Sequence, residues 1–293
     1  MSIKFSTGLR THMAVTGSLR AALSTCVLKI YAGTEPASAD AALGSASLLC
    51  EVTTGGDGVT PLTWEPTAAD GVLQKETDDI WSGINVATGI AAFFRFETLA
   101  DAGAFSSSAV RAQGSIRKVT GELNMPSLSL IASEPLVIGG YEFHVADPNF
   151  STGLRNYLAV TGSLRAALST CVLKIYAGDL PASPDDALGG ASMMGLVTTD
   201  GDNTTPLAWE ATATDGVLTK ELDDTWAGIY SDDEVPSFFR YEVLADGDGA
   251  STTAIRAQGR IANIQAELNI SDLDVENGDP IAVDNFAYAM TDQ

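Results

Sequence analysis

The chain has 293 residues, 45% of them hydrophobic and 18% charged, with 38 acidic against 16 basic side chains and a formal net charge of −22. This composition is globular and not that of a disordered chain. The acid excess argues against nucleic acid and anionic membrane surfaces as partners, because phosphates need Lys and Arg to displace their counterions.

The opening "MSIKFSTGLRTHMAV" holds no continuous apolar run, so no secretory leader is expected. The longest apolar runs, such as "GIAAFF" and "PLVIGG", fall far short of the ~20 residues of a helical membrane span. "TGSLRAALST" predicts a short helix, with Thr16 as its cap and Leu19, Ala22 and Leu23 on one face. "CVLKIYAG" predicts a strand. Cys26, Leu28 and Ile30 point one way, Val27, Lys29 and Tyr31 the other, and the Gly33–Pro36 region ends it. "EPASADAALGSA" is a loop of small residues. Short β-type runs follow: "SLLCEVTT", "TPLTWEP", "GVLQKE", "DIWSGIN", "AAFFRFETLA", "SSAVRAQGSI", "ELNMPSLSLI" and "YEFHVA". Gly and Asp mark the turns between them. In "FFRFET", Phe94, Phe96 and Thr98 alternate with Phe93, Arg95 and Glu97, so this strand has two unlike faces. Trp64 and Trp81 read as core, and Tyr141 and Phe143 in the closing run as part of the same core.

The pattern then recurs. "AVTGSLRAALSTCVLKIYAG" spans Ala14–Gly33 and is spelled again, letter for letter, over Ala159–Gly178. Phe5 matches Phe150, Trp64 matches Trp209, Trp81 matches Trp226 and Arg111 matches Arg256, all at an offset of 145 with no gap. A unit of this length is too long for a solenoid repeat and long enough to bury its own core. The expectation is an all-β chain of two tandem homologous domains, 1–147 and 148–293. Each would be an antiparallel β-sandwich or jelly-roll-like barrel with short N-terminal helical segments, able to fold alone. The copies have diverged unevenly. "NVATGIAA" at Asn85–Ala92 becomes "YSDDEVPS" at Tyr230–Ser237. Residues 1–149 carry nine basic and fifteen acidic side chains (−6), and residues 150–293 carry seven and twenty-three (−16). The undrifted stretch is read as an element with the same packing or docking task in both copies.

Catalytic patterns are missing. The two histidines, His12 and His144, are matched by Tyr157 and Ala289, so no histidine pair serves both copies. There is no GxSxG, HExxH, P-loop or strand-following GxGxxG. The pairs Asp78–Asp79 and Asp223–Asp224 read as solvated turns. Asp200 with Asp202, and Asp246 with Asp248, suit calcium by type but do not continue into an EF-hand loop, so they too read as turns. Cys26, Cys50 and Cys171 form neither a disulfide framework nor a metal pattern, and are expected to be buried free thiols from a reducing compartment. No catalytic residue, cofactor or metal is expected. Arg10, Arg20, Arg155 and Arg165 stand out as cations in an acidic chain. They are interface candidates for acidic groups on a partner, against the alternative that they brace their own loops.

Taken together, "FSTGLR", "TGSLRAALS", "VLKIYAG", "FFRFE" and "VRAQG" resemble a family of tailed-bacteriophage virion-associated proteins, of which this chain would be a tandem version. The resemblance covers both copies almost end to end and carries no catalytic residues. It implies a particle protein assembled in the host cytoplasm and located in the virion. Its partners would be the major capsid protein, other virion proteins and further copies of itself. The function expected is that of a non-enzymatic capsid decoration, or cement, protein. The alternatives are a tail, baseplate or fibre component, or a carbohydrate- or cell-surface-binding module acting through the "YSDDEVPS" loop.

Overall fold

The computed structural model describes residues 3–270 and 272–292 and is predominantly β with minor helix. The first half opens with β1 (Lys4–Phe5), α1 (Thr7–Thr11), a π-type turn (His12–Thr16) and α2 (Leu19–Leu23). Then come β2 (Cys26–Ala32), β3 (Ser47–Thr54), β4 (Val72–Gln74), β5 (Trp81–Ile84), β6 (Gly89–Ile90) and β7 (Phe93–Thr98). It closes with β8 (Ala112–Arg117), β9 (Leu123–Asn124), β10 (Ser129–Leu130), β11 (Pro135–Ile138) and β12 (Glu142–His144). The second half begins with α3 (Thr152–Val160), α4 (Leu164–Leu168), β13 (Cys171–Ala177), β14 (Ser192–Thr199) and β15 (Val217–Thr219). It ends with β16 (Trp226–Tyr230), β17 (Phe238–Val243), β18 (Arg256–Ala262), β19 (Leu268–Asn269), β20 (Pro280–Val283) and β21 (Ala287–Ala289).

Each half builds one main sheet. The first runs β1-β8-β7-β2-β3-β5-β11, with β9 added on β8, and the second runs β19-β18-β17-β13-β14-β16-β20. Neighbours are antiparallel except β8–β9 and β18–β19. The first sheet's Phe5–Ala112 pairing returns in the second as an isolated Phe150–Ala257 bridge. Short ribbons β4–β12 and β15–β21 lie outside the main sheets.

Local chemistry sets the helix starts. The Ser6 hydroxyl accepts the Leu9 N–H at 3.0 Å, and Ser151 accepts that of Leu154 at 3.1 Å. The cap of α2 is Ser18, which accepts the Ala21 N–H at 3.2 Å, and not Thr16. Thr16 ends the π-type turn and Gly17 is extended, so the helix restarts two residues later. The expected strand "TPLTWEP" makes only the Trp64–Lys75 bridge, because Pro61 and Pro66 remove two ladder donors.

Both faces of each sheet are covered. On one face Leu28, Ile30, Phe94 and Phe96 pack in a core shared with Leu19, Leu23, Trp64 and Phe143. The Trp64 and Trp81 rings meet edge-on at 4.8 Å, as do Trp209 and Trp226. Residues of both halves belong to one buried apolar cluster. The other face carries Lys29, Arg95, Glu97, Arg111 and Gln113, all buried under the loop 33–46.

Candidate functional site: the seam between the halves and two matched grooves

The helical openings of the two halves pack on each other. The π-type turn of the first half lies against α4 and β15 of the second, and α3 lies against α2 and β4 of the first. These contacts are reciprocal. Thr11 Oγ1 accepts the Gly216 N–H at 3.1 Å, and Asn156 Oδ1 accepts the Gly71 N–H at 2.6 Å. Thr11 and Asn156 stand 145 residues apart, as do Gly71 and Gly216. The seam therefore has the self-complementary form of a two-fold dimer interface written within one chain. Gly71 (φ +79°) and Gly216 (φ +80°) adopt the left-handed region, and there is no room for a side chain at either. A Cβ on Gly216 would lie 2.5 Å from Arg10 Cβ, and one on Gly71 would lie 2.9 Å from Arg155 Cβ.

This locates the four arginines. Arg10 and Arg155 lay their stems along the seam. Their guanidinium groups turn back to donate to Phe5 O at 2.6 Å and Phe150 O at 2.7 Å. Arg10 also reaches Asp292 Oδ1 at 3.4 Å, and that same oxygen accepts the Phe5 N–H at 2.8 Å. The far end of the second half is thereby tied to the start of the first. Arg20 and Arg165 lie elsewhere and donate to the carbonyls of Trp64 and Trp209 at 3.2 and 3.1 Å, bracing loops of their own halves.

A buried ionic network occupies the loop-covered face of each sheet. Arg111 grips Asp101 with two bonds of 2.7 Å, and Arg256 grips Asp246 in the same way. Lys29 pairs with Glu97 at 3.3 Å and Lys174 with Glu242 at 2.7 Å. Burial raises the pKa of Glu97 and Glu242, and lowers that of Arg95 and Arg240. At Asp101 burial also pushes upward, but the Arg111 hydrogen bonds and charge outweigh it and the net direction is down. Glu242, Asp246 and Asp248 could together offer oxygens to a cation, yet the Lys174 ammonium lies among them, 3.6 Å from Asp248. The turn aspartates serve the backbone: Asp57 accepts the Val59 and Thr60 N–H groups, and Asp202 those of Thr204 and Thr205.

Cys26, Cys50 and Cys171 are buried and free, and burial pushes each thiol up to about 12, where it stays protonated at neutral pH. His12 is half-buried, which lowers its pKa. Tyr230, the aromatic of the "YSDDEVPS" loop, is buried in its strand.

Each half also bears a groove at the same place. In the first half it measures about 650 Å³ and lies between β9 and β11. In the second it measures about 640 Å³ and lies between β19 and β20. β19 and β20 end the second sheet path, and in the first β11 ends the path while β9 branches from β8, so each sheet is curled and open, with the groove at its gap.

The sequence pattern missed the seam pairs and the ionic network. The signal for the network was present. Lys29, Arg95, Glu97, Asp101, Arg111 and Gln113 are all kept in the second copy, inside otherwise apolar runs. No helix is long and apolar enough to cross a membrane among the described residues. No protein-family model, curated protein or solved structure matches the chain.

Proposed function

We propose that the chain is a non-enzymatic structural protein of a tailed-phage virion, a head decoration protein that docks on the major capsid protein. The observation that carries this reading is the reciprocal seam. It joins the two β halves by matching contacts of near two-fold form, with two matched outer grooves. Such a block suits the bridging of paired shell subunits, since linked domains engage neighbouring sites at high effective concentration. The protonated thiols and the charges held in internal ion pairs support a structural role over a catalytic one. Quantitative mass spectrometry of purified particles tests it. Copies equal to the shell protein, or a simple fraction of it, are expected. A handful of copies would move the chain to the tail or a vertex, and absence from the particle would overturn the reading.

A further inference from the structure

The two grooves share a floor and differ in their rims. Leu123, Met125, Leu130 and Ile138 line the first; Leu268, Ile270, Val275 and Val283 stand at the same positions in the second. The only charged side chain among those lining the first groove is Glu134. The second is lined by Asp272, Asp274, Asp279 and Asp284 and by no Lys or Arg. Three of these replace Ser127, Ser129 and Gly139. All four are exposed, and none forms an ion pair among the described residues. The adjoining loop adds Asp232, Asp233 and Glu234.

One wall of this groove is a strand edge that is unpaired among the described residues. There β20 pairs only with β16, and the Tyr230 N–H donates to Asp279 O at 2.9 Å. Antiparallel pairing alternates, so the Asp279 carbonyl and residues 281 and 283 face β16 and Ala282 turns its N–H and C=O outward. Ala282 is exposed and lines the groove. Pro280 has no N–H, which limits what this edge can pair with and sets the register of whatever does.

We propose that the groove between β19 and β20 binds an extended segment of a partner protein in which apolar and basic residues alternate. A strand laid along β20 points alternate side chains to opposite sides. One set fills the apolar floor, and the other reaches the aspartate rim. Charge complementarity selects this partner for the second groove, while the first groove, with the same floor and almost no charge, is its built-in control. The proposal holds wherever the protein works and does not depend on the virion reading.

The test uses the full chain and a blocked eight-residue peptide of alternating Lys and Val, read by isothermal titration and amide hydrogen exchange. The expected result is salt-sensitive binding that protects the region of residues 280–284 and leaves residues 135–139 unchanged. A variant with Asp272, Asp274, Asp279 and Asp284 all changed to Asn should bind about tenfold more weakly, as befits four exposed, screened ion pairs. A matched variant carrying Asn at Asp70, Asp78, Asp179 and Asp223 loses the same charge elsewhere and should change affinity less than about twofold. Equal weakening in both variants would reduce the effect to general attraction by an acidic protein and overturn the site. So would equal binding of a Lys–Gly alternating peptide, protection of the first groove instead, or no binding at all. Should the fourfold variant fail to fold, Asp284→Asn and the exchange map on the unaltered protein carry the same decision.

Discussion

At the scale of single residues, the buried charges are the chain's main departure from an ordinary β-protein core. Arg111 and Asp101 are almost wholly buried and joined by a two-bond fork. Replacing such a pair with apolar groups can be neutral, but removing one partner strands the other. Asp101→Asn should therefore destabilise the protein by about 3–5 kcal/mol at neutral pH, measured by denaturant or thermal unfolding. The same residue has a pH signature. Its folded pKa lies below the ordinary value of about 3.9, so its stabilisation is complete above that value and is lost as pH falls through the folded one. Glu97 works the other way. Burial raises its pKa, the native state takes the proton first, and stability falls as pH rises from about 4.3 through the folded value. The melting temperature should drop below about pH 4, and Asp101→Asn should flatten that limb. An unchanged acid limb in the variant would show that other carboxylates control it. The sequence held the alternation that puts Arg95 and Glu97 opposite Phe94 and Phe96. It did not show that the loop 33–46 covers that second face, because small residues such as Ala39 and Ala41 give no sign that their carbonyls meet buried arginines.

At the scale of elements, the twice-written stretch has matching surroundings in both copies. α2 meets α3 across the seam, and α4 meets the π-type turn. An element facing a counterpart on one side and its own core on the other has little freedom to drift on either. The strands were legible because their alternation is local: β2, β3 and β7 fall within the runs that suggested them, and β8 overruns its run by one residue, Arg117. The N-cap at Ser18 and the loss of a strand at Trp64 turn on a neighbouring π-type turn and two prolines. The seam was not legible for a different reason. Its two bonds join residues 205 and 85 positions apart, and the acceptors are of different types, Thr11 and Asn156. Reciprocity appears only when both halves are placed in space. It makes a paired prediction: Asn156→Ala and Thr11→Ala each leave the N–H of a buried glycine unmet, and each should cost about 1–2 kcal/mol. Unfolding of the two single variants and the double reads this directly. A large cost at one site and none at the other would mean that the seam is symmetric in shape but not in energy.

At the scale of the whole molecule, the seam bears on what half a chain would do. Length alone suggests that 1–147 folds by itself. The packing adds a condition, since one apolar cluster holds residues of both halves and a lone half would expose its share of the seam. That surface is self-complementary. The first half owns both Thr11, the acceptor, and Gly71, the donor, together with the Arg10 stem that would lie on the glycine. Two copies of 1–147 can therefore rebuild across a true two-fold axis the contacts that 1–147 and 148–293 make within one chain. Fragment 1–147 should be a dimer by light scattering, with a melting temperature that rises with concentration. Gly71→Val should split it, because the new side chain would meet the partner's arginine stem in a backbone conformation that valine rarely adopts. In the intact chain the same association is intramolecular, which raises its effective concentration to about millimolar or above, so fusing two copies should add stability without a new contact. A fragment that folds cooperatively and stays monomeric would show instead that each core closes on its own, leaving the seam a consequence of tethering.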